Sequence, residues 1–225
     1  MKLAVFSINR IALGLLKSLQ ENPNHEVVLF VYTDLHTEKF HKDIDAMGYN
    51  SFLYKTKSEQ NNTELLNILI KNKIECNIVA SFCELPKIIY NEIFSINLHL
   101  SVLPAFQGSY PVQGLVYALN NIDQDWVEDS KGVTVHKITG SVNDCKDDDI
   151  LLIKYLKQNK SRRIETLLKK LQNLGYRAIN EALKDKNEDQ NKDIVIPKTK
   201  TITPHIPASH FYYDTRNKEG IFKML

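Results

Sequence analysis

Hydrophobic positions along this chain come in two rhythms. Short, largely apolar runs over residues 3–7 and 27–32 read as strands covered on both faces, the pattern of a parallel sheet, and further strands read over 52–54, 76–80 and 94–98. Between them the apolar positions recur at helical spacing. Ile11, Leu15, Leu16 and Leu19 form one such stripe before the turn Asn22-Pro23-Asn24, and Leu65, Leu66, Leu69 and Ile70 form another over 63–72, with Thr63 as its N-cap. A helix near 38–47 and a short one starting near Pro86 complete the alternation. Strands alternating with helices build right-handed βαβ units, so the predicted fold class is α/β: a Rossmann-like, mostly parallel sheet flanked by helices.

The second half is less regular. It predicts a helix over 112–119, a loop over the acidic, Trp126-bearing stretch 121–131, and strands over 133–138 and 149–156. Ile164, Leu167, Leu168, Leu171, Leu174 and Ile179 make one stripe of a long helix ending near Lys184. Residues 185–192 are polar and low in complexity, which suits a linker. Beyond it lie Pro197, Pro204 and Pro207, then Phe211-Tyr212-Tyr213 and a turn at Gly220, the composition of a short C-terminal β-hairpin extension. The organisation is therefore a core over 1–184, a linker over 185–192 and an extension over 193–225. Both faces of so aromatic a hairpin need cover, and a second copy of the chain would provide it, so a homodimer is expected.

Composition narrows the function. At about 150 residues per domain, 225 residues allow one large domain or one with an appendage. With 43% hydrophobic and 25% charged residues the chain can bury a core, which excludes bulk disorder. Lys+Arg 29 against Asp+Glu 27 leaves a formal charge of +2, too little field to hold a nucleic acid. Cys76, Cys83 and Cys145 fit neither a disulfide framework nor paired zinc-ligand spacing. The first apolar run is too short for a signal segment and no stretch reaches the roughly 18 apolar residues of a membrane span, so the chain reads as cytoplasmic, with no membrane partner.

Chemistry concentrates in Asn97-Leu98-His99-Leu100-Ser101-Val102-Leu103-Pro104, running on to Gly108. Ligands of α/β sheets sit outside the carboxyl ends of strands, and Asn97 and His99 fall at such an end. Two residues apart on extended backbone, they share one face. An imidazole exchanges a proton near neutral pH and an amide donates to a developing oxyanion, a pairing suited to acyl transfer to an amine. The same two side chains would equally serve to satisfy loop backbone groups. A second cluster, Gly132-Val133-Thr134-Val135-His136, is followed by Asn143-Asp144 and by Asp147-Asp148-Asp149, where one carboxylate can orient the imidazole and the triple Asp suits a solvated turn.

Asn97-x-His99-x-Ser101-x-Leu103-Pro104, Gly108 and Gly132-x-Thr134-x-His136 resemble the folate-dependent formyltransferases over roughly residues 1–184. The resemblance implies formyl transfer from 10-formyltetrahydrofolate to an amine, with no metal. It implies Asn97 and His99 as catalytic residues and an Asp on the loop after Gly132–His136. That slot holds Asn143, with Asp144 next and Cys145 where a Gly is usual; either the loop is shifted and Asp144 serves, or the carboxylate is missing. The loop Phe82-Cys83-Glu84-Leu85, with Asn143, corresponds to the pterin-binding residues, although Leu85 suits a core position and Cys83 simple packing. Ser7-Ile8-Asn9-Arg10 lacks the glycines of a glycinamide ribonucleotide enzyme's phosphate loop, and the short tail and neutral balance do not suit a methionyl-tRNA enzyme. Gly108-Ser109-Tyr110 and the aromatic tail resemble the sugar N-formyltransferases. That reading implies a nucleotide-linked amino sugar, such as a dTDP-4-amino-4,6-dideoxyhexose of O-antigen synthesis, as substrate, held by Asn9, Arg10, Ser101 and Tyr110. A catalytically impaired, ligand-binding member of the fold is the rival from another class.

Overall fold

A computed structural model describes residues 1–8, 11–33, 38–56, 58–123, 125–140, 145–156, 161–188, 211–213 and 222–224. The strands are β1 (Lys2–Phe6), β2 (Glu26–Thr33), β3 (Ser51–Tyr54), β4 (Cys76–Val79), β5 (Ser95–His99), β6 (Gly132–Lys137) and β7 (Ile150–Tyr155), in the sheet order β3-β2-β1-β4-β5-β6-β7. The pairs β1 with β2, β2 with β3, β1 with β4 and β4 with β5 are all parallel. This is the doubly wound, Rossmann-like arrangement, whose order reverses between β1 and β4. The chain forms two compact units, Met1–Leu98 with His136–Asp149, and His99–Val135 with Ile150–Leu225, so β5 and β6 each run from one unit into the other.

In the first unit the helices are α1 (Ile11–Gln20), α2 (Glu38–Ala46), α3 (Glu59–Lys71) and α4 (Lys87–Glu92). Leu15, Leu16 and Leu19 of α1 are fully buried, as their spacing predicts. Phe6, Val31, Leu65, Leu69, Val79 and Ile89 meet in one core cluster, each apolar side chain contributing about 1.5–3 kcal/mol by leaving water. α3 starts earlier than Thr63 suggests. Its N-cap is Ser58, whose hydroxyl accepts from the Asn61 backbone N–H at 3.2 Å, while the Thr63 hydroxyl donates back to the Glu59 carbonyl, as a residue inside a helix does.

The second unit holds α5 (Pro111–Asn121), α6 (Asp125–Asp129) and α7 (Ile164–Glu188). α6 replaces the expected acidic loop because two of its residues have somewhere to pack: Val127 is buried and the Trp126 ring lies 5.9 Å from that of Phe106. Leu167, Leu171, Leu174 and Ile179 of α7 are buried and the helix continues to Glu188, four residues beyond Lys184. The tail contains an antiparallel pair, β8 (Phe211–Tyr213) with β9 (Phe222–Met224), the hairpin its composition suggests.

Gly132 opens β6 where no side chain fits. A Cβ there would stand 2.5 Å from the Lys154 carbonyl oxygen of β7 and 2.6 Å from a Val102 methyl. Gly132→Ala is therefore expected to destabilise the protein by about 1–3 kcal/mol, read as a lower urea midpoint with an unchanged m-value.

Candidate active site

The sheet's order reversal falls in the first unit, where β1 and β4 end side by side. Ala80 N–H donates to the Phe6 carbonyl at 3.0 Å and Ile8 N–H to the Ser81 carbonyl at 2.9 Å. A crevice outside these carboxyl ends is where α/β sheets bind ligands. The backbone turns sharply there, with Ser81 at φ 58°, a left-handed conformation that favours glycine. The turn leads into Phe82, Cys83, Glu84 and Leu85. Phe82 is half-buried, edge-on to Phe6 at 5.4 Å and tilted against Tyr54 at 5.9 Å. Tyr54 is itself fixed by donating its hydroxyl to Asn62 Oδ1 at 2.7 Å, and burial, with Cys83 adding, pushes that hydroxyl up to about 12. Leu85 is in the core, 1% exposed, so it supports this loop from beneath, while Glu84 is exposed.

Asn97 is buried near the end of β5, and its Nδ2 lies 3.0 Å from His136 Nε2 on β6. The opposite ring nitrogen of His136, Nδ1, lies 2.9 Å from the Lys137 carbonyl oxygen. A carbonyl only accepts, so Nδ1 carries the hydrogen, Nε2 accepts, and Asn97 donates. Burial holds the His136 pKa below its usual value, outweighing the Lys137 carbonyl and the Asp149 carboxylate, which favour the charged form. Asp149 is no member of a solvated turn: it ends a 3₁₀ turn (Asp147–Asp149), is buried, and accepts from Thr139 Oγ1 at 2.8 Å and from the Lys146 backbone N–H at 3.3 Å. One carboxylate thereby holds both Thr139 and Lys146. Cys145, half-buried on the same loop, has its thiol pushed up to about 12 by burial and by Asp149 and Asp147, which leaves it protonated at neutral pH.

His99, the last residue of β5, belongs to the second unit and has the opposite ring arrangement. Its Nε2 lies 3.0 Å from the Phe106 carbonyl oxygen, so Nε2 carries a hydrogen. The segment presenting that carbonyl is tightly held. Ser101 Oγ donates to the Ala105 carbonyl at 2.7 Å, and Thr134 Oγ1 donates to the Ser101 carbonyl at 2.8 Å while accepting from the Leu103 N–H at 3.0 Å. Phe106 sits at φ 55° and Gly108 at φ 116°, and the aromatic contact with Trp126 seats the Phe106 ring.

Comparison of the sequence with family models and with curated proteins returns no match. Comparison with solved structures does. The chain is similar to the phosphoribosylglycinamide formyltransferase of Campylobacter jejuni, with a TM-score of 0.63 at 21% identity over 83% of this chain and 97% of that one. It is similar to a formyltetrahydrofolate deformylase of Pseudomonas syringae pv. tomato, at 0.65 and 14% over 86% and 63%. A sugar N-formyltransferase of Shewanella sp matches at 0.58 and 16% over 94% and 78%. The chain has the formyltransferase fold.

Within the formyltransferase fold, Asn97 and His99 lie at alternate positions at the end of β5, as expected from the motif. Ser101, expected to meet a substrate, is fully buried with its hydroxyl committed to Ala105, so its work is to shape the loop. Tyr110 is 56% exposed at the start of α5. Asn9, Arg10, Asn143 and Asp144 lie outside the described residues. Among the described residues no cluster of His, Cys, Asp or Glu is placed to hold a metal ion, and no helix is long and apolar enough to cross a membrane. The sequence reading missed three partners: His136 against Asn97, Thr134 across the Ser101–Leu103 turn, and Asp149 across the acidic loop. Alternation on β6 was the available signal for the first two, since Gly132, Thr134 and His136 fall on one side of a strand.

Because His136 is favoured neutral in the folded chain, the unfolded chain takes up its proton first as pH falls. The stability it contributes is complete above about pH 6.5 and is lost below that, down to its lower folded value. Urea unfolding of wild type and His136→Gln is expected to show the wild-type advantage shrinking as pH drops below about 6.5.

Proposed function

We propose that this chain transfers a formyl group from 10-formyltetrahydrofolate to the amine of a nucleotide-linked amino sugar. The observation that carries the reading is a buried amide and a buried imidazole at alternate positions at a strand end, each with one nitrogen already committed to a fixed partner. Such groups are preorganised for charge that develops on an oxygen, since they need no rearrangement when it appears. The Ser81–Leu85 turn with Phe82 is suited to a flat heteroaromatic ring, offering an aromatic wall and backbone groups at the sheet's order reversal. Three features favour a sugar acceptor: Ser7-Ile8-Asn9-Arg10 in place of a glycine-rich phosphate loop, Tyr110 after Gly108, and the aromatic tail.

In this mechanism the sugar amine attacks the formyl carbon, and as the tetrahedral intermediate collapses the bond from that carbon to the donor nitrogen breaks, the leaving nitrogen taking a proton from the His99 ring and departing as tetrahydrofolate. The second Nδ2 hydrogen of Asn97 and the protonated ring of His99 stabilise the oxyanion; with Nε2–H of His99 turned to Phe106, proton exchange at that ring takes place at Nδ1. Asp144 pairs with His99 or takes the amine proton through water. Arg10 meets a phosphate, Asn9 the adjoining nucleotide and Tyr110 a ring of the substrate. A catalytically impaired, ligand-binding protein is the second reading, favoured by Asn143 and Cys145 in the slots of the expected Asp and Gly.

Incubation with 10-formyltetrahydrofolate and a panel of amino-sugar nucleotides, glycinamide ribonucleotide and methionyl-tRNA is expected to add the mass of one formyl group to an amino-sugar nucleotide alone. Transfer to another acceptor would replace the sugar assignment, and calorimetric binding without transfer would select the second reading. Asn97→Ala and His99→Ala should each keep the thermal transition of the wild type yet lose about 10²–10³-fold in kcat. For the tail, light scattering should find a dimer of the full chain and a monomer when the chain ends at Lys186; a monomeric full chain, or a shortened chain that stays dimeric, removes the hairpin from the interface.

A further inference from the structure

His99 and His136 both stand near the carboxyl ends of their strands, and the proposed mechanism uses only His99. His136 is 1% exposed, makes hydrogen bonds with both ring nitrogens, and touches the amide that the mechanism does use. We infer that His136 is a positioning residue for Asn97: held as the neutral Nδ1–H tautomer, it fixes which way round the Asn97 amide sits, and a proton on Nε2 turns that amide over. The inference rests on the proposed role of Asn97 for its catalytic consequence, but not for the geometry.

Donors and acceptors decide how the amide sits. The Lys137 carbonyl claims the Nδ1 hydrogen, so in the neutral ring Nε2 has only a lone pair to offer. Of the two ends of the Asn97 amide only Nδ2–H₂ can use it, which is the end found there at 3.0 Å. Nδ2 is thereby anchored, one of its hydrogens goes to His136, and the other is held in a set direction. When a proton from solvent adds to the Nε2 lone pair, two donors face each other across that distance. The amide relieves the conflict by rotating about its last side-chain bond, so that Oδ1 accepts from Nε2–H. Both nitrogens of the ring remain satisfied in either state, so the burial of this pair does not forbid the exchange, but Nδ2 then points elsewhere. The described groups that face the ring are the Asn97 amide from β5, the Lys137 carbonyl from β6 and the Asp149 carboxylate from the 3₁₀ turn. Asp149 favours the proton and burial disfavours it, with burial the larger, so the neutral tautomer holds at neutral pH.

The test uses nuclear magnetic resonance on the full ¹⁵N-labelled chain without substrate, with His136 and the Asn97 side-chain amide assigned from His136→Gln and Asn97→Ser. At neutral pH the His136 ring should show a protonated Nδ1 and an unprotonated Nε2. On lowering the pH, the Asn97 NH₂ pair should shift with the same midpoint as His136, below about 6.5. A ring protonated at Nε2 at neutral pH, or an Asn97 amide indifferent to the titration of His136, overturns the inference. In the formyl-transfer assay at neutral pH, His136→Leu, which leaves Nδ2 without its acceptor, should lower kcat by about 10² with KM little changed. His136→Gln, whose Oε1 can accept, should recover part of that loss. An unchanged kcat in His136→Leu also overturns the inference. If no acceptor is formylated at all, the proposed function fails, and the ring and amide signals decide the positioning role by themselves.

Discussion

The polar side chains at the ends of β5 and β6 are out of reach of water, so each has to find its hydrogen bonds within the protein. That requirement organises the site. It gives His136 and His99 opposite tautomeric commitments although both stand at strand ends: His136 places its hydrogen on Nδ1 because a carbonyl faces that atom, and His99 carries one on Nε2 for the same reason. It also explains why so many nearby hydroxyls turn inward. Ser101 and Thr134 spend their hydroxyls on backbone carbonyls that would otherwise be buried unpaired, and in doing so fix the turn that ends in the Phe106 carbonyl. These bonds hold the surroundings of Asn97 and His99 in place.

The fold was largely legible in the sequence. A strand covered on both faces is mostly apolar, and a helix laid on a sheet is apolar every three or four residues; the stripes of α1 and α7 follow this, as does that of α3 apart from Ile70, which is 55% exposed while Ile68 packs on the core. Errors fell at the ends and in charged stretches. Ser58 and Thr63 are both plausible caps, and only the hydrogen bond to Asn61 decides between them. The stretch around Trp126 reads as a loop because its charges are what the eye counts, whereas α6 exists because Trp126 and Val127 find partners from far along the chain.

The site was legible in part. Asn97 and His99 announce themselves by residue type and by a strand end, both local properties. His136, Thr134 and Asp149 act through partners distant in sequence, and nothing in a run of residues says which carbonyl will face which ring. Ser101 shows the converse: its place in a motif suggested contact with a substrate, and burial assigns it to the backbone. Asp149, read from sequence as part of a solvated turn, instead accepts from Thr139 and Lys146.

The sheet order carries a consequence for synthesis of the chain. β1 is made before both of its sheet neighbours, and one of its edges pairs with β2, Lys2 opposite Glu26. The other edge waits for β4, where Leu3 meets Cys76 and Phe6 meets Val79. Until Val79 has emerged from the ribosome, a strand apolar from Leu3 to Phe6 stands with a bare row of N–H and C=O groups, open to pairing with any other nascent chain. The residues between β2 and β4 therefore set an interval of exposure in which a chaperone has the most to protect, and slow translation there lengthens it.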